Sequence, residues 1–162
     1  MFDKINLDFF MKGMGIMRLV VQRVKYASVK VDGEIKGEIK QGLMALVGIK
    51  QGDTDKDLEF CVNKLVGLRI FEDENEKMNL SVKDIGGEIL LISQFTLYGE
   101  TKKGFRPSFI MAEEPNRANE MYEKFILRTK EMSGLKVEKG VFGADMKVEL
   151  LNDGPVTILI ES

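Results

Sequence analysis

Seven consecutive residues, Ser93-Gln94-Phe95-Thr96-Leu97-Tyr98-Gly99, carry the groups in this chain best suited to chemistry. They follow the apolar run Ile89-Leu90-Leu91-Ile92, which reads as a buried strand, so hydroxyls and an amide are delivered to a sheet edge. Rigid strand ends of this kind are where sites tend to be built. Ser93 and Thr96 are candidate nucleophiles, yet the chain of 162 residues contains no histidine. That excludes a Ser-His-Asp triad, a Cys-His dyad and a His-ligated zinc site, and the single cysteine, Cys61, cannot form a thiolate cage. No metal and no cofactor is expected. An acyl-enzyme on Thr96 needs an activating base, and the conceivable one, Lys102, lies in a loop. A better use of the segment is electrostatic. Main-chain N–H groups around Gln94 and Phe95 would form an oxyanion hole, with Ser93 and Thr96 positioning the substrate.

Four further features bear on function. Gly154-Pro155 reads by composition as a turn between two strands. Arg23 lies in the first strand pattern; surface cation is the ordinary reading, although a planar guanidinium with five donors is suited to holding carbonyl oxygens. Lys102, Lys103 and Arg106 follow the hydroxyl-bearing segment, whereas Glu72, Asp73, Glu74 and Glu76 form an acidic loop elsewhere. The basic lip is either a solvated loop or a place for phosphates, on a chain whose formal net charge of −2 gives no overall nucleic-acid footprint. Met146, in Gly143-Ala144-Asp145-Met146, is a core methionine on the plain reading.

The elements that must position these residues are legible in outline. Hydrophobic residues make up 44% and charged residues 31%, as in an ordinary globular domain, and no apolar run approaches the ~20 residues needed to span a bilayer. Cys61 falls on the apolar face of a helix and reads as a buried structural thiol. Residues 1–16 look detached, and Met17 is expected to be the functional start, the preceding residues forming a disordered extension. Residues 17–162 then form one domain. Arg18 to Val31 is β-patterned, Asp32-Gly33 turns, Glu34 to Lys40 returns, and Leu43 to Ile49 is apolar enough for a central strand. Asp53 or Thr54 caps a helix with Leu58, Cys61, Val62, Leu65 and Val66 at helical spacing. Pro115 opens a second helix that Gly134 ends. Three short β-patterns follow, at Leu135–Val141, Met146–Leu151 and Val156–Ile160. The expected architecture is a mixed α/β domain of about seven strands with two helices on one side, and a β surface left open for a second copy.

Two segments taken together identify a family. Ser93-Gln94-Phe95-Thr96-Leu97-Tyr98 with Gly154-Pro155-Val156-Thr157 resembles the paired signatures of the D-aminoacyl-tRNA deacylases. The resemblance covers residues 17–162, including Val21-Gln22-Arg23-Val24 and Gly104-Phe105-Arg106-Pro107-Ser108-Phe109. It implies a three-layer β/β/α fold, a homodimer, a cytoplasmic location, and hydrolysis of the ester joining a D-amino acid or glycine to the terminal adenosine of tRNA, as chiral proofreading in translation. It also implies that the Gly154-Pro155 bond is cis and that the dipeptide of one subunit enters the site of the other, where it rejects L-aminoacyl groups. On the same resemblance Arg23 braces that dipeptide, Met146 lines the adenosine pocket, and the vicinal ribose hydroxyl of the substrate helps to activate water. Lys102, Lys103 and Arg106 are the candidates for tRNA phosphate contact. The rivals are a non-catalytic RNA-binding module using the same basic lip, a Thr-nucleophile hydrolase of small esters, and a purely structural dimer.

Overall fold

The computed structural model describes residues 17–162. The expectation about residues 1–16 lies outside the described residues.

Strand β1 (Arg18–Val31) is the spine. It turns through Asp32-Gly33 into β2 (Glu34–Ile39), with φ of 51° and 77° at the two turn residues, the left-handed pair that a tight two-residue hairpin requires. Strand β3 (Gly42–Gly48) lies antiparallel to the first half of β1, and β2 pairs with the second half. Helix α1 (Asp55–Gly67) and a small hairpin, β4 (Phe71–Glu72) with β5 (Met78–Leu80), then carry the chain to β6 (Glu88–Ser93), parallel to β3. Helix α2 (Pro115–Ser133) likewise carries it from β6 to β7 (Val137–Lys139), parallel to β6. Parallel neighbours need such crossovers because no tight turn can join them. The last strand, β8 (Lys147–Glu161), returns along nearly the whole of β1.

The helix ends follow from local chemistry. The Asp57 carboxylate accepts the Thr54 N–H at 2.9 Å, closing a capping box at the start of α1. Glu114 caps α2 by accepting from the main-chain N–H groups of Asn116 and Arg117, at 3.1 and 2.7 Å. Gly134 ends α2 at φ 67°, a conformation that favours glycine.

Alternation along β3 and β6 splits the interior in two. Leu43, Ala45, Val47, Ile89 and Leu91 face α1 and α2 in the larger cluster, with Tyr122 and Phe125. Met44, Leu90 and Ile92 face the other way, against Val24, Val29 and Ile39 from the curled halves of β1 and β2. Burial on both faces is why these two strands read as unbroken apolar runs. The sheet bends toward a barrel where β2 passes over β7: a Cβ on Gly37 would lie 2.7 Å from the Lys139 carbonyl oxygen, so only glycine permits the approach.

Eight strands and two α-helices are present among the described residues, against an expectation of about seven and two. Phe71–Glu72 and Met78–Leu80 were missed because segments of two and three residues carry no periodicity. The acidic loop between them is tied down by Asp73, whose carboxylate accepts from the Asn75 and Lys77 N–H groups and the Asn79 side chain. The separate patterns Met146–Leu151 and Val156–Ile160 are one strand. Asn152-Asp153-Gly154-Pro155 has turn composition, but β1 keeps pairing across it through register shifts between Gln22 and Tyr26. A proline is tolerated in a strand at such a bulge. None of the helices is long and apolar enough to cross a membrane among the described residues.

The buried Tyr122 hydroxyl donates to the Leu91 carbonyl oxygen at 2.6 Å, joining α2 to the strand that ends at Ser93. Tyr122→Phe should lower unfolding stability by about 1–3 kcal/mol, measured by urea denaturation, because the buried carbonyl loses a donor.

Candidate active site

Strand β6 ends at Ser93, and the chain breaks immediately into a 3-10 turn, Phe95–Tyr98. Ser93 lies opposite Val47 in β3, and the Gln94 N–H donates to the Val47 carbonyl oxygen at 2.8 Å. The Gln94 amide is therefore spent on the sheet, which removes it from the expected oxyanion hole. The N–H groups of Phe95 and Thr96 open the 3-10 turn, where a helix has no acceptors of its own to offer them. The Gln94 side-chain amide donates to the Thr96 hydroxyl in a short contact. An amide cannot take a proton from that hydroxyl, so this partner orients Thr96 without activating it.

Sequence reasoning missed what holds the turn in place. Arg18, on β1, donates to the Leu97 carbonyl oxygen at 2.8 Å, is paired with Glu161 on β8 at 3.1 Å, and stacks over the Tyr98 ring. The buried Tyr98 hydroxyl donates to the Gly48 carbonyl oxygen, and burial raises its pKa. A Cβ on Gly48 would lie 3.0 Å from the Tyr98 ring.

Beside this turn is a cavity of about 720 Å³ into which Ser93, Gln94, Phe95 and Met146 all face. Phe109 stacks edge-on against Phe95, ring centroids 5.2 Å apart, and forms part of the same wall. Phe142, Ile110, Ala112 and Glu113 also contribute, and none of them was singled out in the sequence. Their signal is position rather than type, since only the packing of α2 against β6 brings them there. Met146 is half-buried, packs against the smaller apolar cluster and lines the cavity, so the core and pocket readings both hold.

Arg23, Gly154 and Pro155 do not line the cavity. In register, Ser93 pairs with Val47 and Val47 with Leu19, whereas Arg23 stands four residues further along β1, about 13 Å at ~3.3 Å per residue. Arg23 is nearly buried. Its Nε donates to the Asp153 carbonyl oxygen at 2.8 Å and its Nη1 to the Ile70 carbonyl oxygen at 2.7 Å. The Gly154-Pro155 bond is cis and both residues are exposed. Gly154 sits at φ 137°, and a Cβ there would come within 2.9 Å of Val156 and 3.2 Å of the Arg23 guanidinium. Lys102, Lys103 and Arg106 are exposed on the loop closed by the Glu100–Ser108 bridge, together with a fully exposed Phe105.

A profile of the family described as D-Tyr-tRNA(Tyr) deacylase matches residues 20–161. The chain belongs to that family. It is 58% identical over 146 residues to a D-aminoacyl-tRNA deacylase of Koribacter versatilis, covering 90% of this chain and 97% of the relative. A D-aminoacyl-tRNA deacylase of Aquifex aeolicus is 59% identical, with 90% and 98% covered. Among solved structures, the c-Myc DNA Unwinding Element Binding Protein superposes with a TM-score of 0.85 at 44% identity, over 90% of this chain and 98% of the other. A probable eukaryotic D-amino acid tRNA deacylase superposes at 0.78 with 17% identity, covering 90% and 99%, a likeness of fold.

The cavity wall is tightly fitted at Gly140, where a Cβ would lie 2.5 Å from the Met146 sulfur. Gly140→Ala must move that flexible thioether and reshape the wall. The expected result is a KM for aminoacyl-tRNA raised several-fold at nearly unchanged kcat and Tm, measured by steady-state deacylation and thermal unfolding.

Proposed function

We propose that this chain hydrolyses the ester bond of D-aminoacyl-tRNA, and that of glycyl-tRNA, as a chiral proofreading enzyme of translation in the cytoplasm. Water adds to the ester carbonyl, the bond to the terminal ribose oxygen breaks, and free amino acid and tRNA leave. Membership of the deacylase family supports the reaction class. The observation that carries the mechanism is the split between two halves of a site. The cavity holds Ser93, Gln94 and Phe95, while the exposed cis Gly154-Pro155, presented by Arg23, stands well away from it in the same chain. A homodimer that exchanges Gly154-Pro155 would complete each cavity with the other subunit's backbone. Leu151 and Leu159 on β8 are exposed, and β8 pairs with β1 alone among the described strands, which leaves an edge and an apolar surface for such a partner.

In the completed site the substrate's ammonium and ester are both fixed, and the third substituent on Cα has two directions open to it. For an L-amino acid that direction runs into the Gly154-Pro155 main chain; for a D-amino acid it runs into open space, and glycine has nothing to clash. Rejection by backbone sterics tolerates many D-side chains. The N–H groups of Phe95 and Thr96 stabilise the developing oxyanion, Ser93 and Thr96 position the ester, and Met146 and Phe95 wall the adenosine. The vicinal ribose hydroxyl assists water, so the protein supplies chiefly orientation and charge stabilisation. Lys102, Lys103 and Arg106 meet the phosphates of the acceptor end. A non-catalytic RNA-binding module using this lip would instead retain tRNA and leave the ester intact.

Two experiments test the mechanism. Thr96→Ala should keep substantial activity, whereas a terminal adenosine lacking the vicinal hydroxyl should abolish turnover; a trapped acyl-Thr96 species would refute the scheme. Mixing subunits of an inactive Gly154→Ala variant with those of an inactive Phe95→Ala variant should restore about a quarter of wild-type activity, because half the dimers carry one intact composite site. No recovery on mixing would place both halves in one chain.

A further inference from the structure

Asp53 is fully buried, and one of its carboxylate oxygens, Oδ1, has no hydrogen-bond partner among the described residues. The other, Oδ2, accepts the Lys50 N–H at 2.8 Å, while the Asp53 N–H donates to the Lys50 carbonyl oxygen at 3.1 Å. These bonds close the Lys50–Asp53 turn just before α1. That turn grips the cavity wall at every step. Gln51 N–H donates to the Met111 carbonyl oxygen at 3.0 Å, and the Gln51 side chain to the Ile110 carbonyl oxygen at 2.9 Å. Glu113 N–H donates to the Ile49 carbonyl oxygen at 3.0 Å, and Lys50 bridges Ala112. Arg117, on α2, donates to the Asp53 carbonyl oxygen at 2.5 Å and pairs with Glu113. Gln51, Ile110, Ala112 and Glu113 all line the cavity.

We propose that Asp53 is a positioning residue: its buried carboxyl holds the Lys50–Asp53 turn against the Ile110–Glu113 wall of the cavity, and placing a full charge on that carboxyl, with Oδ1 unpartnered, loosens the wall. A buried carboxylate with an unpartnered oxygen is costly, and the neutral acid lowers that cost. The groups facing Asp53 are few and mixed in sign. Asp57 opposes its charge, Lys50 and Arg117 favour it, and Cys61 from α1 and Tyr98 from the 3-10 turn lie close enough to feel it. Burial is the largest influence and pushes the carboxyl up to about 7. The sign follows from linkage. A raised carboxyl contributes its full stabilisation below the ordinary value of 3.8 and loses it as pH rises through about 7.

The proposal rests on the cavity being the substrate site only in what the wall is for, so the test has two separable arms. In the first, carbon-detected NMR of the wild-type chain should show the Asp53 carboxyl titrating near neutrality. Protection factors of the Gln51 and Glu113 amides should fall about 10-fold between roughly pH 6 and pH 8, and stay level in Asp53→Asn. Titration below about pH 5, or an equal fall in Asp53→Asn, overturns the latch. In the second, Asp53→Ala should raise KM for D-aminoacyl-tRNA about 10-fold with kcat little changed, and Asp53→Asn should restore it. An unmoved KM alongside the exchange response would uphold the latch and contradict the placing of the substrate in this cavity.

Discussion

The constraint on which the rest of this structure depends is the burial of a guanidinium inside the sheet. Arg23 occupies a nearly buried position on the central strand, where an unpaired cation is prohibitively costly. Main-chain carbonyl oxygens of Ile70 and Asp153 meet its donors directly, and the Asp153 carboxylate lies 3.7 Å from Nε. Satisfying Arg23 therefore fixes where β8 must stand when it crosses β1. It also bears on the residue that follows: Gly154 sits at φ 137°, a conformation that side-chain-bearing residues rarely adopt, and a Cβ there would press on the same guanidinium. Charge satisfaction and chain path are one interaction.

The start of β1 works in the same manner. Arg18 is held by Glu161 and gives another donor to the Leu97 carbonyl oxygen, so at two points along β1 an arginine fixes main chain. The cavity that results is framed by strand ends, by the 3-10 turn, and by the α2 approach that the Lys50–Asp53 turn clamps. Ser93 brings a hydroxyl to the cavity, whereas Thr96 does not line it and has an amide as its observed partner. In a chain with no histidine, ester chemistry falls to carboxylates, hydroxyls, lysine, backbone dipoles or the substrate's own groups.

Much of this was readable in the residues. The run before Ser93, the Asp32-Gly33 hairpin, the Thr54 and Pro115 helix starts and the Gly134 stop are local signals, and each is where it was expected. Asn152-Asp153-Gly154-Pro155 misled because turn propensity counts neighbours in sequence, while β8 bulges there and resumes pairing on both sides with β1, a strand more than a hundred residues away. The Gln94 N–H was expected to face an oxyanion, but it is claimed by the Val47 carbonyl oxygen, which only the β3–β6 register reveals. Arg18, Phe142 and Asp53 carry no motif, and their importance lies in what the fold places next to them. Cys61 was legible from its place on the apolar face of a helix; it is buried, with its thiol pushed up to about 12.

The central claim is that the site separates mirror-image substrates with main chain. The most direct measurement is the rate of ester loss from one tRNA charged in turn with D-tyrosine, glycine and L-tyrosine. The account predicts rapid loss of the D-tyrosyl and glycyl esters while L-tyrosyl-tRNA survives at its spontaneous rate. Equal hydrolysis of the D and L esters, or retention of tRNA with all three esters intact, would contradict it.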